Sequence, residues 1–199
     1  MALQLFWSPE IQFTMAKTRL LLFLIIILLS FKSFAQNTPP DTVKIGVYIT
    51  SIHDIDFKQK EYAVNLWLWL KYKNKEFNFP ENLEIPQAKQ VEKSFSTVDT
   101  SGGMVYVQMK LQCIMKDSWR IDNFPFDRQT LRFSVENSQF DKNALIFQPD
   151  TVGQHFDPRF ALRGWSIDSC VMTTGPKVYE TAFSDETASK PRSEYSAFS

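Results

Sequence analysis

The chain has 199 residues, of which 44% are hydrophobic and 15% aromatic, and its 22 Lys+Arg are balanced by 22 Asp+Glu. That length fits one domain with an appendage, and that apolar content excludes a disordered chain. Zero formal charge without a basic cluster excludes nucleic acid as the partner. Lys17 and Arg19 precede the apolar run Leu20–Leu29, and Ser33-Phe34-Ala35 ends in the small residues a signal peptidase reads. Residues 1–35 are therefore expected to be a signal peptide, with Met15 as an alternative start. The apolar run falls short of the ~20 residues that span a bilayer. An exported protein is expected, with 36–199 as its folded domain.

Val43, Ile45, Val47 and Ile49 alternate with Lys44, Gly46, Tyr48 and Thr50, the period of a half-buried strand, and His53–Gln59 breaks it. Tyr62–Tyr72 is a second strand. Leu66, Leu68, Leu70 and Tyr72 form one apolar face, and Trp67, Trp69 and Lys71 form the other. Two Trp on the outer face mean that it is covered as well, by another sheet, a partner subunit or a ligand. Asn74–Lys93 has little pattern, with Pro80 and Pro86, and reads as a loop with one short strand.

Val91–Asp99 and Met104–Met115 flank Thr100-Ser101-Gly102-Gly103, which is hairpin turn chemistry. Leu131, Phe133 and Val135 then alternate with Arg132, Ser134 and Glu136. A short strand is expected at Ala144–Phe147, another at Trp165–Val171, a long polar loop over Gly175–Arg192, and a last strand from Glu194 that is still running where the sequence stops. No amphipathic helix is legible. Many short strands with Gly/Pro turns predict an all-β, Ig-like sandwich of about ten strands with Greek-key connections.

Between the strand that ends at Met115 and the alternation that starts at Leu131 lies Asp117-Ser118-Trp119-Arg120-Ile121-Asp122-Asn123-Phe124-Pro125-Phe126-Asp127-Arg128-Gln129. Pro125 fixes its own φ and pushes Phe124 out of the helical region, so the segment is a rigid bend. Asp127 is placed to accept backbone N–H bonds inside the turn. A loop with two Phe and a Trp at its tip is built to press against something apolar.

Catalytic constellations are missing from the sequence: no Gly-x-Ser-x-Gly, no phosphate loop, no His-Glu-x-x-His, and only 2 His. A non-enzyme without cofactor is expected. Asp54/Asp56 and Asp185-Glu186 read as solvated pairs, since hard cations need six or more oxygen ligands. Cys113 and Cys170 are either a disulfide of an exported protein or buried free thiols in two strands.

Phe124-Pro125-Phe126-Asp127-Arg128-Gln129 resembles the signature loop of pentameric ligand-gated ion channels, the Cys-loop receptor family and its bacterial relatives. The likeness continues outside the loop. Val43–Ile49 resembles the family's first strand and Asn65–Tyr72 its second. Gly164-Trp165-Ser166-Ile167-Asp168 and the stretch before Glu194-Tyr195-Ser196 resemble the strand pair that carries the capping loop. The resemblance runs over roughly 43–199. It implies the extracellular β-sandwich of a homopentamer that binds a small ligand, such as a cationic amine, at subunit interfaces. It further implies coupling of that ligand to a membrane domain that these residues do not include.

Carried over by position, the resemblance makes Trp67 the complementary-face aromatic, with Trp69 and Lys71 beside it. Glu136 to Phe140 lie in the principal-face loop, and Tyr179, Phe183 and Tyr195 on or beside the capping loop. Trp119, Phe124, Pro125, Phe126 and Asp127 belong to the coupling loop. Two departures stand out. Asp117 and Leu131 occupy the positions of the bridging cysteines of animal members, and Leu83–Lys89 lacks the aromatic that usually precedes its proline. The alternatives are a soluble exported binding protein of the acetylcholine-binding-protein type, or an unrelated adhesion or carbohydrate-binding sandwich.

Overall fold

The computed structural model describes residues 39–123, 126–160, 162, 164–183 and 191–199. The expected signal peptide, Phe124 and Pro125 of the bend, and Asp185-Glu186 lie outside these residues.

The chain is all-β. Its main sheet is built from β1 (Asp41–Asp56), β2 (Glu61–Tyr72), β4 (Ala88–Asp99), β5 (Val105–Lys116) and β7 (Leu145–Pro149). These five strands lie in the order β4-β5-β2-β1-β7. The period-2 pattern explains the register. Val43 and Ile45, Leu66, Leu68 and Leu70, and Val107, Met109 and Leu111 all turn to one face and are buried. Each such side chain contributes about 1.5–3 kcal/mol on leaving water.

The second layer is made of shorter pieces. β3 (Leu83–Glu84) pairs with β6 (Glu136–Asn137), and β8 (Thr174–Tyr179) pairs with β9 (Ser193–Phe198). Val135 and Phe198 exchange both backbone bonds and are buried, which joins the two pieces over the core. A helical turn α1 (Phe79–Asn82) carries Pro80 in its first turn, where a missing N–H costs nothing. Asp99 accepts the Ser101 N–H, and Gly102 and Gly103 take positive φ to close the β4–β5 hairpin.

Four expectations are corrected. β1 does not end before His53; it runs to Asp56 by way of irregularities after Ile49 and His53. Residues 131–135 are not a ladder strand. The Arg132 N–H goes to Asp117 Oδ2 at 3.2 Å and its C=O accepts the Tyr62 hydroxyl at 2.6 Å, so side chains take the bonds a neighbour would have made. Trp165–Val171 is not a strand either: Ile167 and Val171 are exposed, and the pairing begins at Thr174. Conversely, the polar Gly175–Tyr179 is a strand. Pro176 is tolerated there because β8 is an edge that pairs only with β9.

Aromatic clusters close the two ends of β2. Tyr72, Phe77, Phe79 and Phe140 pack at one end. Tyr62, Phe57, Trp119 and Trp165 pack at the other. Cys113 is a buried free thiol, pushed up to about 12 by burial. Cys170 is also free, but it is exposed and lies outside any strand. Among the described residues no helix is long and apolar enough to cross a membrane.

Candidate functional site

Glu136 ends the alternating 131–135 stretch and is only 3% exposed. Tyr179, at the end of β8, donates its hydroxyl to Glu136 Oε2 at 2.8 Å. Tyr195 of β9 stands opposite Lys177 in the ladder, so Tyr179, Lys177 and Tyr195 share one face of the hairpin. Phe183, held at φ 48°, turns back onto this pair. Ring centroids are 6.0 Å apart for Tyr179–Tyr195, 5.8 Å for Tyr179–Phe183 and 6.4 Å for Phe183–Tyr195, all edge-to-face. A buried carboxyl group thus bonds one ring of a three-ring aromatic cluster. The outermost ring, Phe183, is 59% exposed.

The electrostatics of this corner are opposed. Burial pushes the Glu136 carboxyl above its ordinary range and Glu84 pushes it further, while the Tyr179 hydrogen bond and Lys177 pull it down. The balance is upward. Glu84 is the direct cross-strand partner of Glu136 in the β3–β6 pair, and like charges so placed repel. Tyr179 is pushed up to about 12, first by burial and then by the carboxylate it bonds.

Among the expected site residues, the fold brings together Glu136, Tyr179, Phe183 and Tyr195. It places the others elsewhere in the chain. Trp67 is half-buried on the outer face of the main sheet, edge-on to Phe95 at 5.7 Å, with Lys110 Nζ 5.8 Å from its ring. Trp69 lies over Gly46, and its Nε1–H bonds Asp150 at 3.0 Å. Lys71 is exposed at the end of that face. Phe140 packs 4.7 Å from Phe77 in the end cluster.

Glu84 and Lys177 join the site without a signal in the sequence. β3 is 2 residues long, too short to show a period, and Lys177 lies in a polar stretch that reads as loop.

The loop at the other end is organised differently from its expectation. Trp119 is not at an exposed tip. It is 7% exposed, packed edge-on to Phe57 at 5.4 Å, and donates to Thr130 O. Asp127 does accept the Asn123 N–H at 2.9 Å, as its position in the bend suggests. Phe126 remains 81% exposed. At the neck, Asp117 accepts from Arg132 Nη1 at 2.8 Å and from the Arg132 N–H. An ion pair therefore joins the two sides of the loop.

No metal-ligating cluster of three or more His, Cys, Asp or Glu occurs among the described residues. Two surface depressions, one of about 350 Å³ beside His155 and Cys170 and one of about 250 Å³ beside His53 and Gln112, are both remote from the aromatic cluster in their lining.

No family model matches the sequence. A proton-gated ion channel of Gloeobacter violaceus (strain ATCC 29082 / PCC 7421) is 25% identical over 159 residues, taking in 69% of this chain. The chain is similar to an ion channel. It spans 44% of that relative's length.

Proposed function

We propose that Pro39–Ser199 is the ligand-binding domain of a pentameric ligand-gated ion channel, and that its ligand is a small ammonium. The observation that carries this reading is the buried Glu136 bonded to Tyr179, on which Phe183 and Tyr195 pack. Rings hold a cation by their negative faces, at about 0.5–2 kcal/mol each, and a carboxylate orients it. Glu84 adds a second negative charge across the strand pair. A primary ammonium has three N–H donors for those oxygens, whereas a quaternary one has none. Trp67 on the outer sheet face is the aromatic that a neighbouring subunit contributes, and five copies close the ring. The similarity to a channel supports the assembly, and the exposed Phe126 supports a loop that presses on a membrane domain of a longer chain.

Titration calorimetry with methylammonium and tetramethylammonium tests the ligand. Methylammonium is expected to bind about tenfold more tightly, the weight of one charge-assisted hydrogen bond. Glu136→Gln is expected to abolish the preference. Equal binding of both cations, or undiminished binding by the Gln variant, overturns the reading.

A further inference from the structure

Lys110 stands at the middle of β5, directly opposite Trp67 of β2 on one side and Phe95 of β4 on the other. The three side chains therefore share the outer face of the main sheet. Trp67 and Phe95 belong to strands separated by β5, which puts their backbones about 9–10 Å apart. Their ring centroids are nevertheless only 5.7 Å apart, edge-to-face. The two rings lean together across the strand that carries Lys110.

The Lys110 ammonium is part of this arrangement. Its Nζ lies over the Trp67 ring, 5.8 Å from the centroid, within reach of a cation–π contact. Other lysines of these two strands are served differently. Lys89 and Lys116 both pair with Glu61, whereas no carboxylate among the described residues pairs with Lys110. The indole is its counter-group. Because β5 is hydrogen-bonded to β4 along one edge and to β2 along the other, its backbone is held. The ammonium leaves the indole only by rotation of the Lys110 side chain.

We propose that Lys110 is a tethered competitor for Trp67: in the unliganded chain its ammonium takes the place on the indole that a ligand ammonium takes in the assembled ring. The competition rests on the ligand reading above, whereas the contact between Lys110 and Trp67 does not. A group anchored one strand away is present at an effective concentration in about the millimolar range. A free cation gains the indole only by displacing it, and apparent affinity falls by the fraction of Trp67 left open. This competitor acts through charge alone, so it weakens every cationic ligand alike. Glu136 acts through its oxygens and distinguishes ligands that have N–H donors. Affinity and selectivity are thus set by different residues.

Nuclear magnetic resonance tests the contact. The indole ring current is expected to move the Lys110 ε-methylene protons upfield of those of the other lysines. They should return to the common position in Trp67→Leu and on saturation with methylammonium. Calorimetry of the assembled chain tests the competition. Lys110→Gln is expected to tighten methylammonium and tetramethylammonium by the same factor, about threefold, the weight of one exposed cation–π contact. Lys110→Arg keeps the charge and should bind both no more tightly than the wild type. An unshifted Lys110, or a shift that survives saturating methylammonium, overturns the proposal. So does a Gln variant that changes the ratio between the two cations. Binding that Glu136→Gln weakens and Lys110→Gln leaves unchanged sinks the competitor and spares the ligand reading. If Lys110 is shifted but neither cation binds the wild type or Lys110→Gln, the ligand reading falls and the competition falls with it.

Discussion

Gly46 shows how one absent side chain places another. A Cβ at Gly46 would lie 2.4 Å from Trp69 Cζ2, so the indole can cross β1 only because glycine leaves the space. Gly46→Ala is expected to displace the ring, break its bond to Asp150 and cost about 1–3 kcal/mol, read as a lower urea midpoint with an unchanged slope. Glu136 sets a different test. Because its carboxyl is raised, its contribution to stability is complete below the ordinary glutamic value and is lost as pH rises through the folded-state value. Stability of the wild type should therefore fall across that window relative to Glu136→Gln, as denaturation at a series of pH values will show. The opposite order would mean that Tyr179 and Lys177 outweigh burial.

At the scale of elements, the neck of the Phe-Pro-Phe loop depends on Asp117. Its side chain is 7% exposed against 60% for Arg132, so the pair is anchored from the carboxylate side. Asp117 also accepts the Ser118 and Arg132 backbone N–H groups. Asp117→Ala leaves those donors unpartnered and is expected to cost about 1–3 kcal/mol. Proteolysis within 117–132 should quicken while the β4–β5 hairpin stays resistant, and uniform loss of resistance would show that the clasp serves the whole fold.

The long strands are legible because they alternate and each has one buried face. Leu66, Leu68 and Leu70 fall where their period puts them, and so do Met109 and Leu111. The failures are elements defined by partners. β8 contains Gly175 and Pro176 and is a strand only because β9 lies beside it, whereas 131–135 alternates well but gives its backbone bonds to Asp117 and Tyr62. Of the candidate site, Tyr179, Phe183, Tyr195 and Glu136 are legible from a family resemblance. Glu84 is not, since its place is set by a two-residue pairing.

At the scale of the whole molecule, two aromatic clusters bracket β2, and the outer sheet face between them carries Trp67 and Phe95, which is 46% exposed. If five copies close a ring, this face is covered in the assembly. Phe95→Asp is then expected to shift sedimentation from pentamer to monomer while the thermal midpoint of the isolated domain changes little. Loss of the folded domain itself would assign Phe95 to stability instead.

Alternation, turn residues and composition by themselves determined an all-β fold and its long strands, because these follow from period and the need to bury one face. Tertiary structure alone decided that Trp119 is buried, that Trp69 bonds Asp150 and that Glu84 faces Glu136. Each of those outcomes depends on a contact between residues far apart in the chain, and local pattern does not encode which distant group arrives.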